Sequence, residues 1–289
     1  MFITLKVKKK IIAVILTLIC GMVFILFAIR PSAEKSERKG VFVPIIMYHS
    51  ILKDEAARGE YVVSPAQVER DIQYLKENGY TAIFVNDLIR YVNYGGTLPE
   101  KPVILTFDDG TYNNMTYLMP LLERYDFKAS ISVVGSYTVR DSESGEEPNP
   151  AYSYLRFDDI NSMRESGSVE FCNHTYDMHS LGQRTGIRRM EGENYEDYRS
   201  IFIKDVLGWQ DLLNENCGFK PNVFTYPYGA SGDSARRLVK NSGFEASMGV
   251  EEKPNYIIKD DPDCLFDLNR YNRSGLIDTE DFMKRALKE

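Results

Sequence analysis

The sequence predicts an α/β fold: a distorted (β/α) barrel of about eight parallel strands and seven helices, preceded by one N-terminal transmembrane helix. Three observations carry this. From residue 41 onward, short apolar runs alternate with helical patterns. The runs are rich in Val, Ile and Phe without strict alternation, as expected of strands covered on both faces. Roughly 250 residues are available for them, a common length for such a barrel.

The N-terminus reads as an anchor. Residues 1–10 contain Lys6, Lys8, Lys9 and Lys10, and residues 11–29 carry no charge. As a helix rising about 1.5 Å per residue, the uncharged run would span roughly 28 Å, close to the thickness of a bilayer's hydrocarbon core. The lysines place residues 1–10 in the cytoplasm. A cleaved signal peptide is the competing reading, but the run is long for one and no clean small-x-small cleavage site follows. Residues 30–40 are polar and charged and read as a linker, leaving 41–289 as one domain outside a single-pass cell-membrane anchor.

Within that domain the expected strands are 42–48, 81–85, 103–107, 129–134, 168–172, 222–226, 244–249 and 265–270. The clearest helix covers 65–78: Ser64 caps it, Pro65 suits its first turn, Val68, Ile72 and Leu75 form one stripe, and Gly79 ends it. Asn86 is expected to start 87–93 and Asp158 to start 159–166; helices at 113–125, 195–216, 231–242 and 279–288 complete the set. Residues 135–157 show no periodicity and are expected to form a surface loop. Residues 270–281 resemble a calcium loop only faintly, since such a loop begins with Asp and this one begins with Arg270.

Charge excludes some partners. Positions 1–40 hold eight of the 35 basic and two of the 42 acidic residues, leaving a domain near −13. No basic surplus exists to neutralise phosphates, which argues against nucleic acid. Cys172, Cys217 and Cys264 form no disulfide framework; one pair is allowed, and Cys172 reads as a buried thiol.

The chemistry concentrates at predicted strand ends. Asp108-Asp109-Gly110 follows the run Val103–Leu105, and His174 and His179, two of the three histidines, stand downstream. Two imidazoles and carboxylate oxygens can hold one divalent ion and leave a spare carboxylate beside it, as metal-assisted hydrolysis requires. The five-residue histidine spacing is not the helical His-Glu-x-x-His pattern, so a loop must hold the pair. His49, Tyr226-Pro227-Tyr228-Gly229 and Arg270 also end predicted strands, and all would face one rim. Alone, Asp-Asp-Gly is an ordinary turn and each histidine an ordinary loop residue; the combination is what points to function. Tyr152, Tyr154, Tyr176 and Tyr228 are candidates for stacking on sugar rings.

Thr106 to Gly110, His174 to His179 and Tyr226 to Gly229 resemble the first three motifs of the polysaccharide deacetylases of carbohydrate esterase family 4, the NodB-like domain. Met47-Tyr48-His49 is similar to the opening segment of the poly-N-acetylglucosamine deacetylase branch. The resemblance implies a hydrolase that removes N-acetyl groups from a cell-surface polysaccharide, peptidoglycan or poly-N-acetylglucosamine. It implies Asp109, His174 and His179 as ligands of one divalent metal, zinc or cobalt, with Asp108 as general base and the Tyr228 N–H, beside Pro227, as oxyanion donor. The family's late Leu-x-His motif is absent, which leaves His49 as the acid. The family's usual arginine before the third-motif proline is Thr225 here, so Asp108 needs another orienting partner: Arg270, or less favourably Arg273. An O-acetyl esterase, another amide hydrolase or a wall-polysaccharide-binding protein without turnover are the alternatives.

Overall fold

The computed structural model describes residues 40–288. The expected membrane segment at 11–29 and the linker at 30–40, apart from Gly40, lie outside the described residues. Among those described, no helix is long and apolar enough to cross a membrane.

Strand and helix alternate along the chain: β1 Ile45–Tyr48, α1 Pro65–Glu77, β2 Thr81–Ala82, α2 Val85–Asn93, β3 Pro102–Phe107, α3 Met119–Tyr125 after a π-helical turn at Asn114–Leu118, β4 Ala129–Val133, α4 Gly135–Glu143, α5 Phe157–Glu165 and β5 Val169–Asn173. There follow α6 Tyr195–Phe202, a π-helical segment Ile203–Leu207, α7 Gly208–Cys217, β6 Val223–Thr225, α8 Asp233–Asn241, β7 Ala246–Met248, β8 Tyr271–Asn272 and α9 Thr279–Ala286. The strands pair in parallel in the order β7-β6-β5-β4-β3-β1-β8, with β2 beside the start of β3. The curled parallel sheet with its helices is consistent with the predicted barrel. Leu268 bridges to Met248 while Tyr271 and Asn272 pair with Ile46 and Met47, so one short segment touches both β7 and β1. β1, β3 and β4 are buried along their whole length, which explains why their sequences lack polar alternation.

α1 starts as its sequence dictates: the Ser64 hydroxyl accepts the Gln67 N–H while the Gln67 side chain accepts the Ser64 N–H, a reciprocal cap. Three expectations need correction. The 265–270 strand does not form, because Pro262–Leu265 is a 3-10 turn and Asp267, at φ +58°, interrupts any extended run; the strand that pairs is Tyr271–Asn272. The 135–157 stretch is a loop only from residue 144, since Gly135–Glu143 is α4. Its inward positions are Gly135, Thr138 and Asp141, so it carries no apolar stripe to read. Asn86 and Asp158 do not cap their helices: Asp87 accepts the Phe84 N–H and Asp159 accepts the Arg156 N–H, moving both starts two residues upstream.

A buried polar knot ties α1 to the last strand. Asp71 accepts from Arg273 Nε (2.7 Å) and Nη2 (3.1 Å), the Thr279 hydroxyl (2.6 Å) and the Tyr48 hydroxyl (3.0 Å). Arg273 is thereby committed to Asp71. Cys172, Cys217 and Cys264 are free thiols, with Cys172 fully buried.

Candidate active site

The chain following β3 makes a sharp turn that points its two carboxylates in different directions. Asp109 has φ +70° and Gly110 φ +69°, a left-handed pair that a side chain at residue 110 would not permit, since its Cβ would lie 2.7 Å from Val133 Cγ1. Asp108, buried, faces Arg270, whose Nη1 and Nη2 each donate to one carboxylate oxygen at 2.8 Å. The arginine is held in turn by the Gly249 carbonyl on Nε and by the Thr106 hydroxyl on Nη1. Burial pushes the Asp108 carboxyl up, but the Arg270 guanidinium outweighs it and holds it well below the usual carboxylate range. The structure thus places Arg270, and not Arg273, on Asp108.

Asp109 faces the histidines. His179 Nε2 lies 3.2 Å and His174 Nε2 3.7 Å from Asp109 Oδ1. His174 Nδ1 is 2.8 Å from the Thr225 carbonyl, which can only accept, so the ring proton sits on Nδ1 and the Nε2 lone pair faces the carboxylate. Burial, the strongest influence on His174, lowers it to about 4 and keeps the ring neutral. Burial also pushes Asp109 up, but its hydrogen bond with His179 outweighs burial and holds the carboxyl below its ordinary value, so it is ionised. An anionic oxygen and a neutral imidazole lone pair converging in this way repel each other unless a cation lies between them. Asp109, His174 and His179 are also the group among the described residues whose ligand atoms all lie within 4.8 Å of one another. The three residues therefore fit a divalent ion.

Thr225, where an arginine was expected, uses its carbonyl to fix His174, while its hydroxyl shares a 2.7 Å bond with Ser132 Oγ. Tyr228 stands at φ +58° in the turn after β6; its hydroxyl lies 3.3 Å from His179 Nδ1, and the preceding Pro227 is buried.

These groups open into a cavity of about 670 Å³ lined by His49, Asp108, Asp109, His174, His179 and Tyr228 among others. His49 reaches it from the end of β1, with Nδ1 buried and without a hydrogen-bond partner. Tyr61 packs edge-on against the His49 ring at 4.8 Å and is 51% exposed at the cavity edge. No motif announced Tyr61, which lies in the connection after His49. Of the tyrosines expected to stack on sugar, only Tyr228 lines the cavity; Tyr176 packs against Trp209, Tyr154 against Tyr137, and Tyr152 is exposed elsewhere.

Residues 95–247 match the family model described as polysaccharide deacetylase. The chain belongs to that family. It is 25% identical over 225 residues to a poly-beta-1,6-N-acetyl-D-glucosamine N-deacetylase of Escherichia coli K12, an alignment covering 71% of this chain and 33% of that protein. A Staphylococcus aureus protein of the same name is 25% identical over 193 residues, covering 67% and 62%. The chain thus spans about a third of one relative and under two thirds of the other. Two solved structures share the family's fold with it. They are a de-N-acetylase from Aggregatibacter actinomycetemcomitans (TM-score 0.69, 24% identity, 84% of this chain and 99% of that one) and IcaB from Ammonifex degensii (0.68, 21%, 86% and 97%).

Proposed function

We propose that this family member is a metal-dependent hydrolase that removes N-acetyl groups from poly-β-1,6-linked N-acetylglucosamine or a similar cell-surface polysaccharide, releasing acetate. The observation that carries the reading is the division of the carboxylate pair: Asp108 is locked to Arg270 while Asp109 joins two histidines, in one cavity with His49. The names of the E. coli and S. aureus relatives support the substrate class.

A divalent ion held by Asp109, His174 and His179 would lower the pKa of water and polarise the acetamide carbonyl, which lets even a weak base act. Asp108, fixed by Arg270, takes the proton of the attacking water. The Tyr228 N–H, presented by the left-handed turn after Pro227, donates to the developing oxyanion. His49 hands a proton to the departing sugar amine. The domain is proposed to work outside the cell, tethered by residues 11–29, and removal of that segment should move the protein from the membrane to the soluble fraction.

The test is acetate release from poly-N-acetylglucosamine oligomers with zinc or cobalt present. Asp108→Asn should lower release by at least about a hundredfold while zinc stays bound, and His174→Ala should lose both. An Asp108→Asn variant as active as the parent would remove the base assignment. Release from acetylated xylan in preference to the oligomers would favour O-acetyl esterase chemistry.

A further inference from the structure

The loop carrying the two histidines is strained, and the strain is gripped from two sides. Thr175, buried and β-branched, sits at φ +71°, a strained conformation that such residues rarely adopt. On one side, the first N–H groups of α4 hold its carbonyls: Gly135 donates to Thr175 O at 2.9 Å and Ser136 to Tyr176 O at 2.7 Å. Gly135 permits this approach because a Cβ there would lie within 2.8 Å of the Tyr176 and Trp209 rings.

On the other side stands the π-helical segment Ile203–Leu207, an interruption of the run from α6 to α7. Its Asp205 accepts the Tyr176 N–H on Oδ1 at 2.8 Å and the Asp177 N–H on Oδ2 at 2.9 Å. Beside it, buried Asn173 donates to the Val206 carbonyl at 3.0 Å and accepts the Thr175 N–H at 2.8 Å. Every backbone amide from Thr175 to Asp177 is thus bound by a side chain, and these residues lie between His174 and His179. Asp205 is also an acid between buried Phe202, Val206 and Trp209, where the helical stripe would otherwise be apolar. Single-turn π segments of this kind frequently serve functional sites.

We propose that Asp205 is a positioning residue for the metal centre: its carboxylate, projected by the π-helical segment, holds the backbone at Tyr176 and Asp177 and keeps the loop in the strained form that lets His174 and His179 converge on Asp109. The inference rests on the metal-site reading above, but not on the substrate or the reaction. Without Asp205 the loop can relax, and the spacing between the two imidazoles changes although neither ligand is touched.

The test uses the full chain and zinc alone. Asp205→Asn places an amide where one of two backbone N–H groups needs an acceptor. Its zinc Kd, measured by competition with a chromophoric chelator, should weaken by roughly 10–100-fold, the usual effect of losing an outer partner of a metal ligand. The visible spectrum of the cobalt form should shift, and the rise in melting temperature on zinc binding should shrink. A purely structural role would instead lower the melting temperature of the metal-free and zinc-bound forms equally and leave Kd within about twofold, which would overturn the proposal. If Asp205→Asn folds poorly, Asp205→Glu keeps the charge but displaces the oxygens, and it carries the same expectation and the same refutation. A parent protein that binds zinc but releases no acetate leaves this inference standing and removes the proposed function; one that binds no zinc overturns both.

Discussion

Two neighbouring aspartates differ in what they face, and a single left-handed residue makes the difference. With Asp109 at φ +70°, its carboxylate turns toward His174 and His179 while that of Asp108 stays under Arg270. His49 has a less settled environment, its Nδ1 buried without a hydrogen-bond partner. If it supplies the proton to the leaving amine, His49→Ala should lower acetate release from the oligomers by about 10²–10⁴-fold. Release from an activated aryl acetate, whose phenolate departs unaided, should fall less than about tenfold. Equal losses on both substrates would take His49 out of the acid role. Tyr61 belongs to the same scale. A half-exposed ring packed edge-on against His49 is suited to an apolar sugar face. Tyr61→Ala should raise KM for the oligomers about tenfold with little change in kcat, and Tyr61→Phe should restore it. A kcat defect with unchanged KM would contradict substrate contact.

At the level of elements, side chains remote in sequence set several boundaries. Glu170, on β5, accepts the Val85 N–H at 2.7 Å, the Asn86 side chain at 2.7 Å and the Ser130 hydroxyl at 2.6 Å, so α2 is capped by a strand residue from across the sheet. Burial raises its carboxyl above the ordinary value of 4.5, against the lowering effect of these bonds. The folded state therefore holds the proton more tightly than the unfolded chain. The stabilising contribution is fully present below pH 4.5 and is lost as pH rises through the folded value. Glu170→Gln, which cannot ionise, should flatten the fall of stability in the interval just above pH 4.5, as measured by urea unfolding at stepped pH. An unchanged slope would show that the proton is not linked to folding. Such a cap explains why Asn86 misled the sequence reading: local spacing cannot show an acceptor 85 residues away.

Over the whole molecule, the two ends of the described chain are joined at the buried Asp71–Arg273 pair, which fastens α1 to the segment that carries Arg270, β8 and α9. Asp71→Ala would leave a buried guanidinium without its anion and should lower unfolding free energy by about 3–5 kcal/mol. A loss below about 1 kcal/mol in urea denaturation would mean that water or the Ser274 and Ile277 carbonyls already satisfy Arg273. Because Arg270 stands three residues before Arg273, the variant should also reduce acetate release from the fraction that remains folded.

The order of residues was enough for the alternation of strands and helices, the cap at Ser64, and the candidacy of Asp108, Asp109, His174, His179 and Tyr228. Each of these is written in local spacing: apolar periodicity, turn chemistry, or a short motif at a strand end. The two-pronged hold of Arg270 on Asp108, the helix in 135–143 and the place of Tyr61 beside His49 depended on the assembled fold. They arise from contacts between segments up to two hundred residues apart and from polar side chains buried by pairing, neither of which leaves a periodic trace in the chain. The carboxylate of Asp205 is the clearest case: no motif marked it, and the backbone amides it holds could be found only once the helix and the histidine loop were packed together.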